Sequence, residues 1–171
     1  MAKKLQSLQE FTPYKAPEFT LPVAVAEKEG VQHGTRSLED FRGQWQVLFV
    51  YPADNTPTCT QEAVAFDAAQ AEFSALDCAI TGLSKDDLKS HDRFITRHNL
   101  TIPLLSDTET TLISALGSWG EKSLYGRKYM GTDRSTFLID PEGLIRAEWR
   151  KVRFKGHVEA VLETLKTLRR A

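Results

Sequence analysis

Among the side chains of this sequence, Cys59 stands where a nucleophile would be put. It closes the stretch Pro52-Ala-Asp-Asn-Thr56-Pro-Thr-Cys59, which follows the apolar run Val47-Leu-Phe-Val-Tyr51. A short apolar run bounded by turn residues reads as a buried strand of a parallel sheet. Pro52, Asn55 and Pro57 then impose an irregular connection. From about Thr58 the pattern is helical, with Phe66, Ala69, Phe73 and Leu76 at spacings of three and four. Cys59 therefore falls in the first turn of a helix, on its inward face. A helix N-terminus stabilises a thiolate through unpaired N–H groups and the helix dipole, and the thiolate is the reactive form of cysteine. Loops at the carboxyl ends of strands are also where open α/β sheets place their sites. A lone cysteine is equally one of the most buried residue types, so position leaves two readings, a nucleophile or a small hydrophobe.

No other constellation competes. The histidines His33, His91, His98 and His157 lack metal-ligand spacing. His91 and His98 lie two helical turns apart, roughly 10 Å, too far to share an ion. No metal is expected.

The elements that must position Cys59 follow from the rest of the pattern. Pro17-Glu-Phe-Thr-Leu-Pro-Val23 alternates as a half-buried strand, which its prolines assign to a sheet edge. The segment from Glu27 to Gly34 reads as a turn region, and Ser37 to Gly43 as one helical turn capped by Ser37 and ended by Gly43. After strand 46–51, the site loop and its helix, Cys78-Ala-Ile-Thr-Gly-Leu83 fits a returning parallel strand. Ser84-Lys-Asp-Asp87 reads as a capping box opening a helix with Leu88, Phe94 and Ile95 inward, and Ser106-Asp-Thr-Glu109 as another before Leu112, Ile113 and Leu116. Pro103-Leu-Leu105 is a short strand, and Ser118 to Asp133 reads as loop. Arg134 to Ile139, an Asp140-Pro-Glu-Gly143 turn and Leu144 to Trp149 form a hairpin. A last helix carries Val158, Val161, Leu162, Leu165 and Leu168. This order implies an α/β fold, a mixed central sheet with helices on both faces.

The 171 residues suit one domain, 1–171, with residues 1–12 a loosely attached lead-in. Apolar and charged contents of 41% and 26% are those of a globular protein rather than a disordered one. A net charge of −1 gives no field to draw nucleic acid or an anionic membrane. The basic strips Lys151, Arg153, Lys155 and Lys166, Arg169, Arg170 read as solvated faces. No run reaches the ~18 apolar residues of a membrane span, and the start lacks the apolar core of a secretory signal. Two cysteines are too few for a disulfide framework, so the cytoplasm is the expected compartment.

With these elements in place, the sequence resembles the peroxiredoxins, of the thioredoxin-like superfamily, and within them the bacterioferritin-comigratory or peroxiredoxin Q branch. Pro52-x-x-x-Thr56-x-x-Cys59 and the distant Arg134 carry the resemblance. Ala16-Pro-Glu-Phe-Thr-Leu-Pro22, Trp119-Gly-Glu-Lys-Ser123 and Arg134-Ser-Thr-Phe-Leu-Ile-Asp140 extend it over roughly residues 13 to 168. It implies a thioredoxin-like fold and a thiol-dependent peroxidase that reduces hydrogen peroxide or organic hydroperoxides without metal or flavin. Cys59 takes the peroxidatic position and would become a sulfenic acid. Thr56 and Arg134 take the positions that contact peroxide and thiolate, and Pro52 shields the pocket. Glu62 is open to two readings, orienting Arg134 or merely stabilising the first helical turn. Trp119 reads as core or pocket wall.

One departure matters. Many members of the branch carry a resolving cysteine five residues after the peroxidatic one, where this chain has Val64. Cys78 is the other cysteine, but a helix of the expected length would separate it from Cys59 by roughly 25 Å, against the ~7 Å a disulfide allows. The expectation is a one-cysteine mechanism in a monomer or weak dimer. Thioredoxin, glutaredoxin or a small thiol would reduce Cys59, with an intersubunit disulfide left open. Without a nearby trapping sulfur, overoxidation should come easily. A slow peroxide sensor or redox-signalling partner is the alternative function. A non-catalytic binding module would be expected to lack Thr56 or Arg134, and a disulfide reductase would need a C-x-x-C pair.

Overall fold

The computed structural model describes residues 10–170. Most of the proposed lead-in, residues 1–9, therefore lies outside the described residues.

Strand β4 (Trp45–Val50) explains why the sequence carries a continuous apolar run, because all six of its residues are buried. Val47 and Phe49, with Tyr51 beyond, enter one core with Phe66, Phe73, Phe94, Val161 and Leu165. Leu48 and Val50 enter a second core with Phe41, Leu105, Ile113 and Phe137. A strand covered on both faces has no polar side to show in its sequence.

Strands β1 (Tyr14–Lys15), β2 (Thr20–Glu27), β3 (Gly30–Ser37), β5 (Cys78–Ser84), β6 (Leu104–Ser106), β9 (Ser135–Ile139) and β10 (Leu144–Trp149) complete an eight-stranded sheet of order β1-β10-β9-β4-β5-β6-β2-β3. β4, β5 and β6 are parallel, while β9 and β2 run antiparallel to their neighbours. The sheet is mixed, and its two cores are closed by helices α1 (Pro57–Ala68), α2 (Gln70–Ser74), α3 (Leu88–His98), α4 (Thr111–Ala115) and α5 (His157–Arg170). Among the described residues no helix is long and apolar enough to cross a membrane.

Several local readings need correction. The strand carrying Pro22 is not an edge: β2 pairs with β3 along its length and with β6 at Val23 and Ala24. Its ladder to β6 starts just beyond Pro22, where a missing N–H costs nothing. The turn region expected from Glu27 to Gly34 shrinks to Lys28 and Glu29, and β3 follows at once, largely exposed and therefore without apolar alternation. The helix after Cys59 is two helices, broken at Ala69. Neither capping box forms. Asp87, not Ser84, caps α3 by accepting the Ser90 N–H, and Asp107 accepts the Ile113 N–H of α4. The segment read as loop is a hairpin, β7 (Trp119–Leu124) with β8 (Arg127–Thr132). By contrast, the single helical turn expected from Ser37 to Gly43 is present as a 3-10 turn, Leu38–Phe41, with Ser37 at its cap position and the Asp40 carboxylate accepting the Ser37 N–H.

Gly82 in β5 shows how tightly the sheet is covered behind the site loop. A Cβ there would lie 2.7 Å from Leu104 and 2.9 Å from Phe49. Gly82→Ala should destabilise the fold by about 1–3 kcal/mol through overpacking, read as a lower urea midpoint. An unchanged midpoint would mean the core has slack.

Candidate active site

The end of β4 delivers the chain to the site. Tyr51 N–H still bonds the Leu83 carbonyl, after which Pro52 ends the ladder and Asn55 turns left-handed at φ 60°. Thr56 is extended and precedes α1, with Pro57 in the first helical position, where its fixed φ suits the helix and its missing N–H is no loss.

Within α1, Cys59, Glu62, Ala63 and Phe66 are buried, a spacing of three, four and seven that defines the inward face. Glu62 is thus a carboxylate on an apolar stripe, fully buried one turn after Cys59. Its partner comes from the other side of β4. Arg134 precedes β9, which pairs antiparallel with β4, Val50 opposite Ser135. This register brings the arginine over the helix start. Arg134 Nη1 donates to Glu62 Oε1 at 2.8 Å, and Nη2 donates to Cys59 Sγ at 3.2 Å. One guanidinium fork spans both groups, which a lysine could not do.

The electrostatics are unequal. Burial pushes the Glu62 carboxyl up to about 7, with the Arg134 charge and hydrogen bond pulling the other way. Burial alone would lower the Arg134 pKa, but Glu62 and Cys59 outweigh it and the net shift is upward. The 2.8 Å contact gives the carboxyl a permanent cation on Oε1, while Oε2 is buried without a hydrogen-bond partner among the described residues.

The structure thus brings Cys59, Glu62 and Arg134 together. Pro52 is half-buried at the exit of β4. Thr56 is exposed, and its hydroxyl donates to the Ala53 carbonyl at 2.9 Å, so what remains is its capacity to accept. Val64 is exposed on the opposite side of α1. Cys78 is buried at the other end of the sheet: it pairs with Trp45 at the start of β4, whereas Cys59 follows the end of that strand. Five residue steps along β5 from Cys78 to Leu83 are about 17 Å. Both cysteines are free. Trp119 is partly buried against the second core, with the Lys85 ammonium over its ring.

Sequence reasoning missed the polar support beneath this loop, built from Asp54, Asp86, Ser90 and His91. One signal was present. His91 stands three residues after Leu88 and three and four before Phe94 and Ile95, a histidine on the apolar stripe of α3.

Residues 13–148 match the model of the AhpC/TSA family. The chain is 43% identical to Peroxiredoxin Bcp of Bacillus subtilis over 154 residues, covering 90% of this chain and 94% of that one. It is 40% identical to Peroxiredoxin Bcp of Xanthomonas campestris, covering 88% and 91%. Among solved structures, Xanthomonas campestris Peroxiredoxin Q superposes with a TM-score of 0.78 at 39% identity, covering 87% and 91%. A structure of the Xanthomonas campestris bacterioferritin comigratory protein, solved in connection with its alkyl peroxide reduction activity, is similar at a TM-score of 0.78 and 38% identity, covering 87% and 92%.

Proposed function

The chain belongs to the AhpC/TSA family and is a peroxiredoxin, a thiol-dependent peroxidase, and from this premise we propose that Cys59 is its peroxidatic nucleophile, served by Arg134, Thr56, Pro52 and Glu62 in a one-cysteine cycle. The observation that carries the proposal is the Arg134 fork, 3.2 Å from Cys59 Sγ and 2.8 Å from Glu62.

The Cys59 thiolate attacks the terminal oxygen of hydrogen peroxide or an organic hydroperoxide. An S–O bond forms as the O–O bond breaks. Two electrons pass from sulfur to peroxide, leaving a sulfenic acid and a hydroxide or alkoxide that takes a proton from water. Arg134 stabilises the negative charge on sulfur and then on the departing oxygen. Thr56, its proton committed to Ala53, accepts the peroxide O–H and aims the molecule at sulfur. Glu62 holds the guanidinium in its fork geometry, and Pro52 walls the approach.

Resolution then falls to a thiol from outside the chain. Val64 supplies no sulfur, and Cys78 is buried at the far end of the sheet with its thiol pushed up to about 12 by burial, so it is neither near nor ionised. Thioredoxin, glutaredoxin or a small thiol would restore Cys59. The test is rapid mixing of reduced protein with hydrogen peroxide, followed by intact mass and a non-reducing gel, on wild type and Cys78→Ser. Both should gain one oxygen at the same rate with no disulfide, and excess peroxide should add a second. A disulfide that vanishes in Cys78→Ser would overturn the one-cysteine reading.

A further inference from the structure

The site loop is held from beneath by a buried polar network that the reaction as written does not use. The Asp54 side chain, 1% exposed, accepts the Tyr51 hydroxyl at 2.6 Å on Oδ1, and on Oδ2 the Ser90 hydroxyl at 2.8 Å and His91 Nδ1 at 2.7 Å. The ring of His91, fully buried, turns Nε2 to the Leu105 carbonyl oxygen at 2.9 Å. A carboxylate already receiving two hydroxyls and a backbone carbonyl both call for donors, which a proton on each ring nitrogen would supply. These contacts favour the imidazolium form of His91 beside the Asp54 carboxylate.

Acting on that ring are Asp54 from the site loop, the Asp86 carboxylate from the β5–α3 connection and the Leu105 carbonyl of β6, while Tyr51 at the end of β4 and Ser90 on α3 hold Asp54 itself. Burial acts against the charge, but Asp54, Leu105 and Asp86 together outweigh it and raise the His91 pKa.

The network meets the chemistry at a single peptide group. The Ala53–Asp54 peptide donates its N–H to Asp86 Oδ2 at 2.8 Å, and its carbonyl accepts the Thr56 hydroxyl at 2.9 Å. Asp86 is itself fixed by the Ser84 hydroxyl at 2.7 Å. One edge of this peptide is therefore tied to Asp86 while the opposite edge orients Thr56.

We infer that His91 is a positioning residue for peroxide reduction: by clamping Asp54 it fixes the Ala53–Asp54 peptide, and through it the Thr56 hydroxyl that accepts the peroxide O–H. This deepens the reading of Cys59 and Thr56 given above and rests on it. The role is specific to the peroxide step, because the thiolate is held by the Arg134 fork, which bonds Cys59 and Glu62, and the clamp reaches α1 only at its cap residue, Thr56.

The test combines imidazole nitrogen NMR of the wild type with stopped-flow oxidation of Cys59 by hydrogen peroxide and its alkylation by iodoacetamide, in wild type, Asp54→Asn and His91→Gln. Near neutral pH both His91 nitrogens should resonate as imidazolium, and the oxidation rate should fall with the same midpoint as the ring on going alkaline. In the variants oxidation should slow about 10- to 100-fold, the scale of a misplaced reacting group, while alkylation changes by less than about 3-fold. A neutral ring near pH 7, oxidation unchanged in a folded variant, or oxidation and alkylation falling together would each overturn the clamp. Should neither variant fold, the wild-type titration decides alone, since ring and rate must share a midpoint. The two readings fail separately: if wild-type Cys59 gains no oxygen, the peroxidase assignment falls, whereas fast wild-type oxidation with indifferent variants defeats only the clamp.

Discussion

Cys59→Ser should abolish peroxide consumption, with a loss of about 10³-fold or more, because a serine hydroxyl is un-ionised near neutral pH and a far weaker nucleophile than a thiolate. The exchange keeps the shape of the side chain at the start of α1, where Cys59 is only 1% exposed. Arg134 still finds an oxygen where it found sulfur, and Glu62 keeps its partner. Thermal unfolding should therefore move little while the rate collapses, a split that a purely structural cysteine would not give. The measurement is peroxide loss with a thiol donor in excess, beside a melting curve for each protein. Activity surviving in Cys59→Ser would remove the nucleophile from the proposal altogether.

Arg134→Gln should cost about 10²–10³ in the rate of Cys59 oxidation, about 3–4 kcal/mol of transition-state stabilisation, the usual scale for deleting a charged donor aimed at developing negative charge. The same change strands Glu62, which is fully buried and has Arg134 as its cation. The carboxyl, already raised to about 7 from an ordinary 4.5 by burial, would rise further without the guanidinium. A carboxyl whose folded pKa exceeds its unfolded one binds its proton more tightly in the native state. Its contribution to stability is full below about 4.5 and is lost as pH rises through the folded value. Arg134→Gln should accordingly lose more stability at alkaline pH than at acidic pH, relative to wild type, and Glu62→Gln added on top should recover much of that loss. Urea midpoints on either side of neutrality, with the oxidation rate of each variant, check both halves. A rate indifferent to the loss of Arg134 would show that the cation is a structural ion pair with Glu62 and no more.

The parts of the fold that could be read from the chain are those where burial leaves a local imprint. β4 is apolar at every position because cores press on both faces, and α5 shows its stripe because one side alone is covered. The hairpin β7–β8 left no such imprint. Glu121, Ser123, Leu124 and residues 127–130 are all exposed, so nothing alternates, and its glycines suggest loop. Capping was misassigned because Ser84 is still within β5, its hydroxyl occupied by Asp86, while Asp87 begins the helix. At the site, the helix-start position of Cys59 follows from spacing, but the approach of Arg134 came from resemblance to a family. A contact across 75 positions depends on which strand lies beside β4, and periodicity does not carry strand order. Asp54 and His91 were missed for the same reason, since their contact spans two elements that no local pattern links.

The antiparallel pairing of β9 with β4 also sets when the proposed site is assembled. Arg134 reaches Cys59 only once Ser135 to Ile139 have docked beside Val50 to Gln46, a loop closure across half the chain. Contacts of such separation are costly in entropy and form slowly. During synthesis the cysteine, its helix and the first parallel strands emerge well before the arginine does. A nascent chain therefore carries its sulfur without its cation, and the Arg134–Cys59 contact comes into being with the completed sheet. If Cys59 is the nucleophile proposed above, unfinished chains should react with peroxide more slowly than finished ones, since they lack the arginine that stabilises the departing oxygen.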